Sequence, residues 1–349
     1  AVASSGTNRV MTSPDGITWT ARTTPEANGW NSVTYGNGLF VAVAGTGTNR
    51  AMTSPDGINW TIRTTISTNS WQSVTYGNGL FVAVSNASSS AVMTSPDGIN
   101  WTARNAAEAS TWISVTYGNN LFVAVAINGT NRVMTSPDGI NWTARSASQA
   151  NSWNSVTYGN GLFVAVASSG TNRVMTSPDG ITWTNGTAPG ATSWQSVIYT
   201  NTGFVSVANG GTYRVMTSLD GITWVARTAP DMNWKSVVYG NNLFVAVASY
   251  GTTDKVMTSP SRYLYEYTVN QANGSTYIDG LTTVSLSSVT DMSGNVSENP
   301  TNNTFTIDTT GPNVTLAYSS NPAKAGTNTI TATYRSEEHT SELQSPNTI

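Results

Sequence analysis

The chain has 349 residues, 38% of them hydrophobic and only 9% charged, with 31 Gly and no Cys. That balance supplies apolar surface for a core and excludes disulfides, thiolate metal sites and a cysteine nucleophile. A formal net charge of −3 argues against a nucleic-acid partner, and no apolar run approaches the roughly 18 residues of a membrane helix.

The opening stretch, AVASSGTNRVMTSPDGITWT, recurs word for word at residues 165–184. Residue 1 is therefore expected to fall inside a repeat, with any signal peptide upstream of it. The tryptophans set the period. Trp19, Trp60, Trp101, Trp142, Trp183 and Trp224 stand 41 residues apart; Trp30, Trp71, Trp112, Trp153 and Trp194 keep that spacing, and Trp234 arrives one residue early. A period of about 40 residues with four strands per unit marks an all-β propeller blade.

One unit gives the strands in order. NSVTYG (residues 31–36) alternates, with Val33 and Tyr35 on one face, and a Gly-Asn-Gly turn leads into LFVAVA (39–44). Asn-Gly with positive φ is the strongest short hairpin signal. A third strand, NRAMTS (49–54), meets Pro55-Asp56-Gly57, and a fourth, NWTIRTT (59–65), leads to the next unit. Proline fixes φ, aspartate bonds the backbone ahead of it, and glycine closes the turn.

MTSPDGITW (11–19) and its copies resemble the Asp-box of bacterial neuraminidase-like (BNR) propellers, Ser-x-Asp-x-Gly-x-x-Trp, in its place between a blade's last two strands. This copy is one residue shorter, because Asp15 and Gly16 are adjacent. The resemblance covers residues 1–260 and implies a sialidase-like propeller in which the box is structural. It assigns fastening roles to Asp15, Trp19, Asp56, Trp60, Asp97, Trp101, Asp138, Trp142, Asp179, Trp183, Asp220 and Trp224. Repetition points the same way, since a catalytic group is needed once and a fastener in every blade.

Six first-and-second-strand units and seven Met-Thr-Ser strands are present. Residues 1–22 supply late strands and 234–258 early ones. They either complete one blade of a six-bladed ring or belong to a seven-bladed one, and seven is expected in the intact protein. Beyond residue 260 the pattern fails. Residues 261–306 and 307–334, with the turn DMSGN and the run FTIDTTGPNVTL, resemble the end of one bacterial Ig-like module and the start of a second, truncated one. RSEEHTSELQS (335–345) resembles a translated sequencing-library adapter, so 335–349 are expected to be an artefact that carries away His339, the one histidine. A chain with neither His nor Cys lacks the commonest metal ligand and general base.

Successive connections in an antiparallel meander alternate between the sheet's ends. The invariant Gly-Asn-Gly and Pro-Asp-Gly turns therefore share one face of the disk, and the variable loops share the other. Arg9, Arg50, Arg132, Arg173 and Arg214 begin third strands on the variable side, as Arg22, Arg63, Arg104, Arg145 and Arg227 end fourth strands there. A positively biased face favours anionic glycans or acidic partners. Tyr213 and Tyr250 in the same loops suit stacking on sugars. The three-arginine cluster of sialidases has no counterpart, because every arginine before Arg262 is a repeat position. Glu26 and Glu108 read as solvated connector residues. The expectation is a monomeric, non-catalytic recognition or adhesion module, extracellular or on a bacterial surface, that binds glycan or protein and needs no cofactor or metal. A sialidase-like hydrolase and a purely structural spacer are the alternatives.

Overall fold

A computed structural model describes residues 1–87, 90–249 and 255–260, together with the strands at 263–269, 280–283, 304–307 and 328–334. The chain divides into two compact units, Ala1–Thr258 and Ser259–Ile349. Unit one opens with β1 (Val10–Thr12) and β2 (Thr20–Arg22), a two-stranded sheet. Blade one follows as β3 (Trp30–Gly36), β4 (Leu39–Ala44), β5 (Ala51–Ser54) and β6 (Thr61–Arg63). Blade two is β7 (Trp71–Gly77), β8 (Leu80–Ser85), β9 (Val92–Ser95) and β10 (Thr102–Arg104). Blade three is β11 (Trp112–Gly118), β12 (Leu121–Ala126), β13 (Arg132–Ser136) and β14 (Thr143–Ser146). Blade four is β15 (Trp153–Gly159), β16 (Leu162–Ala167), β17 (Val174–Ser177) and β18 (Thr184–Gly186). Blade five is β19 (Ser193–Thr200), β20 (Gly203–Gly210), β21 (Val215–Ser218) and β22 (Val225–Arg227). Blade six has β23 (Trp234–Gly240), β24 (Leu243–Ala248) and β25 (Val256–Pro260).

Each blade is an antiparallel meander in sequence order, so six blades that own an inner hairpin build an all-β propeller. The hairpins close as the sequence dictates. Asn37 (φ 48°) and Gly38 (φ 73°) take the two left-handed positions of a type I′ turn, and Asn119 and Asn120 (φ 48° and 57°) do so without glycine.

The second strand has both faces covered, which is why it reads LFVAVA rather than alternating. In β12, Phe122, Ala124 and Ala126 pack with Val82 and Val84 of blade two, while Val123 and Val125 pack with Trp153 and Phe163 of blade four. The first strand carries a bulge between Trp112 and Ser114, repeated in every blade that owns an inner hairpin. The extra residue resets the strand's parity, so Trp112 and Val115 reach the same inter-blade core despite their odd spacing.

Blades are joined at their inner strands. The N–H of Val115 donates to Ser73 Oγ at 3.2 Å, and that of Val156 to Ser114 Oγ at 3.2 Å. The third and fourth strands are shorter than the sequence suggests. Arg50 belongs to the loop, its guanidinium bonded there, and Asn59 and Trp60 belong to the aspartate turn.

Residues 1–22 and 234–258 do not complete one sheet. β1–β2 stands apart from the three-stranded β23–β25, with Val2 bridged to Val10. Val10 joins the core around Trp30, and a Cβ on Gly16 would meet Leu243 Cδ2 at 2.6 Å, so β1–β2 lies between blade one and blade six.

In unit two, β26 (Tyr263–Val269) pairs antiparallel with β29 (Asn328–Tyr334), and β27 (Gly280–Thr283) with β28 (Thr304–Ile307). The DMSGN turn, most of the Ig-like stretch and residues 335–349 lie outside the described residues. Among the described residues no helix is long and apolar enough to cross a membrane.

Candidate functional site: the loop face and the blade-five cleft

In each aspartate turn one carboxylate oxygen is taken up by the turn's own serine and backbone N–H groups. Ser136 Oγ donates to Asp138 Oδ1 at 2.8 Å, and that oxygen also accepts the N–H groups of Ile140 and Asn141 at 2.8 Å. Asn141 Nδ2 occupies Oδ2, and Trp142 Nε1 donates to the Gly139 carbonyl at 3.1 Å. Asp56, Asp97, Asp179 and Asp220 accept the same two backbone bonds. The adjacent Asp-Gly pair therefore still closes the turn. Backbone donors, Thr18 first and then Ile17, hold the Asp15 carboxyl at about 2, and Asn141 and Ile140 hold Asp138 below the usual carboxylate range. The box tryptophans lie inward: Trp101, Trp183 and Trp224 are buried, and Trp19, Trp60 and Trp142 half-buried.

Strand register puts the arginines at the opposite end, where Val133 pairs Arg145 and Ala51 pairs Arg63. Most of the third-strand arginines brace their own loops. Arg50 Nε donates to Gly47 O at 2.9 Å and Nη1 to Gly45 O at 3.0 Å. Arg9 reaches Gly6 O and Ala27 O, Arg132 reaches Gly129 O and Asn151 O, and Arg173 Nε donates to Gly170 O. Desolvation lowers the proton affinity of Arg50. The strand-four arginines lie back on their partners, Arg145 Nε donating to Thr135 Oγ1 at 3.1 Å.

The connector glutamates are not merely solvated. Glu108 Oε1 accepts from the Asn131 N–H at 3.0 Å and Oε2 from Asn131 Nδ2 at 2.8 Å, and Glu26 holds Asn49 Nδ2 at 2.7 Å. These clips tie each connector to the loop of the same blade and keep both carboxyls below their ordinary value, against desolvation at Glu108. Gln149, at the corresponding place, accepts the Asn172 N–H at 3.1 Å.

Blade five breaks this scheme. Where four other loops read Gly-Thr-Asn-Arg, at residues 6–9, 47–50, 129–132 and 170–173, it reads Gly211-Thr212-Tyr213-Arg214, and Gly190 stands at the glutamate position. The Tyr213 ring lies over Gly190, where a Cβ would meet its Cε2 at 3.4 Å, so a ring replaces the Asn–Glu clip. Beside it opens a cleft of about 420 Å³ lined by Thr212, Tyr213, Arg214, Arg227, Thr228 and Asp231. Arg214, 15% exposed, pairs with Asp231, 85% exposed. The structure thus brings Tyr213, Arg214 and Arg227 together and adds Thr228 and Asp231, which sequence reasoning passed over. Two departures from the repeat pointed here: tyrosine for asparagine at 213 and the early Trp234. Arg9, Arg50, Arg132 and Arg173 stay on separate blades, and Tyr250 lies outside the described residues. Among the described residues no three His, Cys, Asp or Glu side chains gather to hold a metal.

Residues 13–153 match the family described as DUF6242 beta propeller domain. No curated protein sequence matches the chain. Among solved structures, virginiamycin B lyase from Staphylococcus aureus is 12% identical with a TM-score of 0.56, covering 68% of this chain and 86% of its own. YCF48 from Cyanidioschyzon merolae is 15% identical with a TM-score of 0.51, covering 71% and 91%. YCF48 bound to D1 peptide is 16% identical with a TM-score of 0.52, covering 66% and 79%. At such identities the likeness is one of fold, and the fold is a β-propeller.

Proposed function

We propose that the propeller is a non-catalytic recognition module of a secreted or surface-attached bacterial protein, binding glycan or protein through its variable loop face. The observation that carries this is the blade-five cleft. It sits on the loop face, departs from the repeat, and combines an exposed aromatic ring, two guanidinium groups and a carboxylate. An aromatic ring suits the apolar face of a sugar, and guanidinium donors suit carboxylate or sulfate. Rigid blades with ligand groups on loops are a common arrangement for binding. The aspartate turns, occupied by their own backbones, support a fastening role in the manner of Asp-boxes, and Glu26 and Glu108 support the non-catalytic reading because both are engaged in clips.

A glycan array probed with the full chain at low and high salt tests the proposal. Binding to acidic glycans that weakens with salt, and is lost in Tyr213→Ala, is expected. Retention of nothing at either salt points to the spacer reading, and turnover of a fluorogenic sialoside to the hydrolase.

A further inference from the structure

Five loops of the variable face end in an arginine, and four of them hold the guanidinium in the same way. Arg9 and Arg50 donate Nε to the carbonyl of the glycine three residues back at 2.9 Å, and Arg132 and Arg173 do so at 3.1 Å. Arg214 does not. Its Nη1 takes the Gly211 carbonyl at 2.6 Å and its Nη2 pairs with Asp231. Its Nε is buried and has no acceptor among the described residues. The guanidinium is therefore turned about its own axis relative to the other four, at the cost of a buried donor.

The next connector accounts for the turn. Arg9 Nη1 ends on the Ala27 carbonyl and Arg132 Nη1 on that of Asn151, both in the connector of the following blade. The connector into blade six is one residue shorter, and there Asp231 offers a carboxylate instead. Nε and Nη2 share one edge of the planar guanidinium, an edge that receives a carboxylate through two parallel N–H···O bonds. Asp231 reaches only half of it, with Oδ1 on Nη2. The arginine is largely buried and the aspartate mostly exposed, so the carboxylate is the weakly held partner. Tyr213, 38% exposed, lines the same cleft.

We propose that the blade-five cleft is a uronic-acid subsite, in which a sugar carboxylate displaces Asp231 and forks onto Nε and Nη2 of Arg214 while the sugar ring lies on Tyr213. This rests on reading the cleft as a ligand site, and it selects carboxylate over sulfate. The selection follows from the edge itself: it already seats one planar carboxylate oxygen, and Nε calls for a second in the same plane. Asp231 is a placeholder that keeps the guanidinium turned towards the cleft. The exchange trades one ion pair for another, so the ligand's advantage is the added bond to Nε together with stacking on the ring.

Calorimetry on the full chain tests this with trigalacturonate, its carboxyl-reduced neutral counterpart, a sulfated galactose trisaccharide and triglutamate. Trigalacturonate is expected to bind about tenfold or more tighter than each of the others. Asp231→Asn should tighten trigalacturonate further and leave the neutral sugar unchanged. Arg214→Lys keeps the charge but not the fork, and should erase the preference. In the 15N-labelled chain the Arg214 Nε–H resonance should shift on adding trigalacturonate, a signal that a purely structural ion pair would not give. If Arg214→Lys fails to fold, Asp231→Asn and that resonance decide. Equal binding of the sulfated sugar or of triglutamate, a preference that survives in Arg214→Lys, or no tightening in Asp231→Asn overturns the proposal. Refusal of trigalacturonate beside Tyr213-dependent binding of another glycan overturns it and leaves the cleft a ligand site; refusal of every saccharide removes both readings.

Discussion

Gly77 and Tyr117 belong to neighbouring blades, and the tyrosine ring occupies the space a side chain at 77 would need: a Cβ there would fall 2.1 Å from Tyr117 Cγ. The glycine is therefore required by the neighbouring blade rather than by its own backbone. Gly77→Ala should lower stability by about 1–3 kcal/mol through overpacking. Urea denaturation of that variant checks it, and a midpoint equal to wild type would show that the blades do not meet there.

Trp153 is fully buried in the core shared by blades three and four, beside Val123, Val125 and Phe163. Truncation to alanine should cost about 3–5 kcal/mol, from lost burial and the cavity left behind. The half-buried Trp142 should cost less. The order of the two urea midpoints is the measurement.

The aspartate turns set the acid limit. Their carboxyls are held below an ordinary value of 3.8, Asp15 at about 2, by backbone N–H donors. Such groups add stability above the unfolded value, and that stability is lost as pH falls through the folded one. Tm should be level from pH 7 to about 5 and then drop towards pH 2. Asp138→Asn should flatten part of that drop. A Tm already falling at pH 6 would assign acid sensitivity to other groups.

The blade-five cleft should separate binding from folding. Asp231 is mostly exposed, so Asp231→Asn should shift stability by no more than about 1 kcal/mol although it breaks the pair with Arg214. It should raise affinity for an anionic ligand by releasing that guanidinium. Calorimetry with an array-selected glycan, next to a thermal melt, reads both effects.

The Glu108 clip offers a local test. Glu108→Ala leaves the Asn131 backbone and amide groups without their acceptor, and should cost about 1–3 kcal/mol. Hydrogen exchange at Asn131 and Arg132 should rise while exchange in β12 stays slow. Uniform acceleration across the blade would make the clip a global element.

The repeat, the strand order, the turns and the ends of the blades at which charges lie are all written in the order of the amino acids. Periodicity, Asn-Gly and Pro-Asp-Gly are local signals, and strand parity follows from them. That order did not disclose that Trp112 and Val115 share a face, because the bulge that brings them together is a property of pairing. Nor did it show that most of the third-strand arginines serve their own loops: a guanidinium reads as surface charge until the carbonyls around it are placed. The cleft was half legible, since Tyr213 and the early Trp234 break the repeat, but Asp231 joins them only after the blade turns back on itself. Tertiary structure alone decided that the terminal strands form separate sheets, because identical residues at 10–13 and 174–177 differ only in which neighbours cover them.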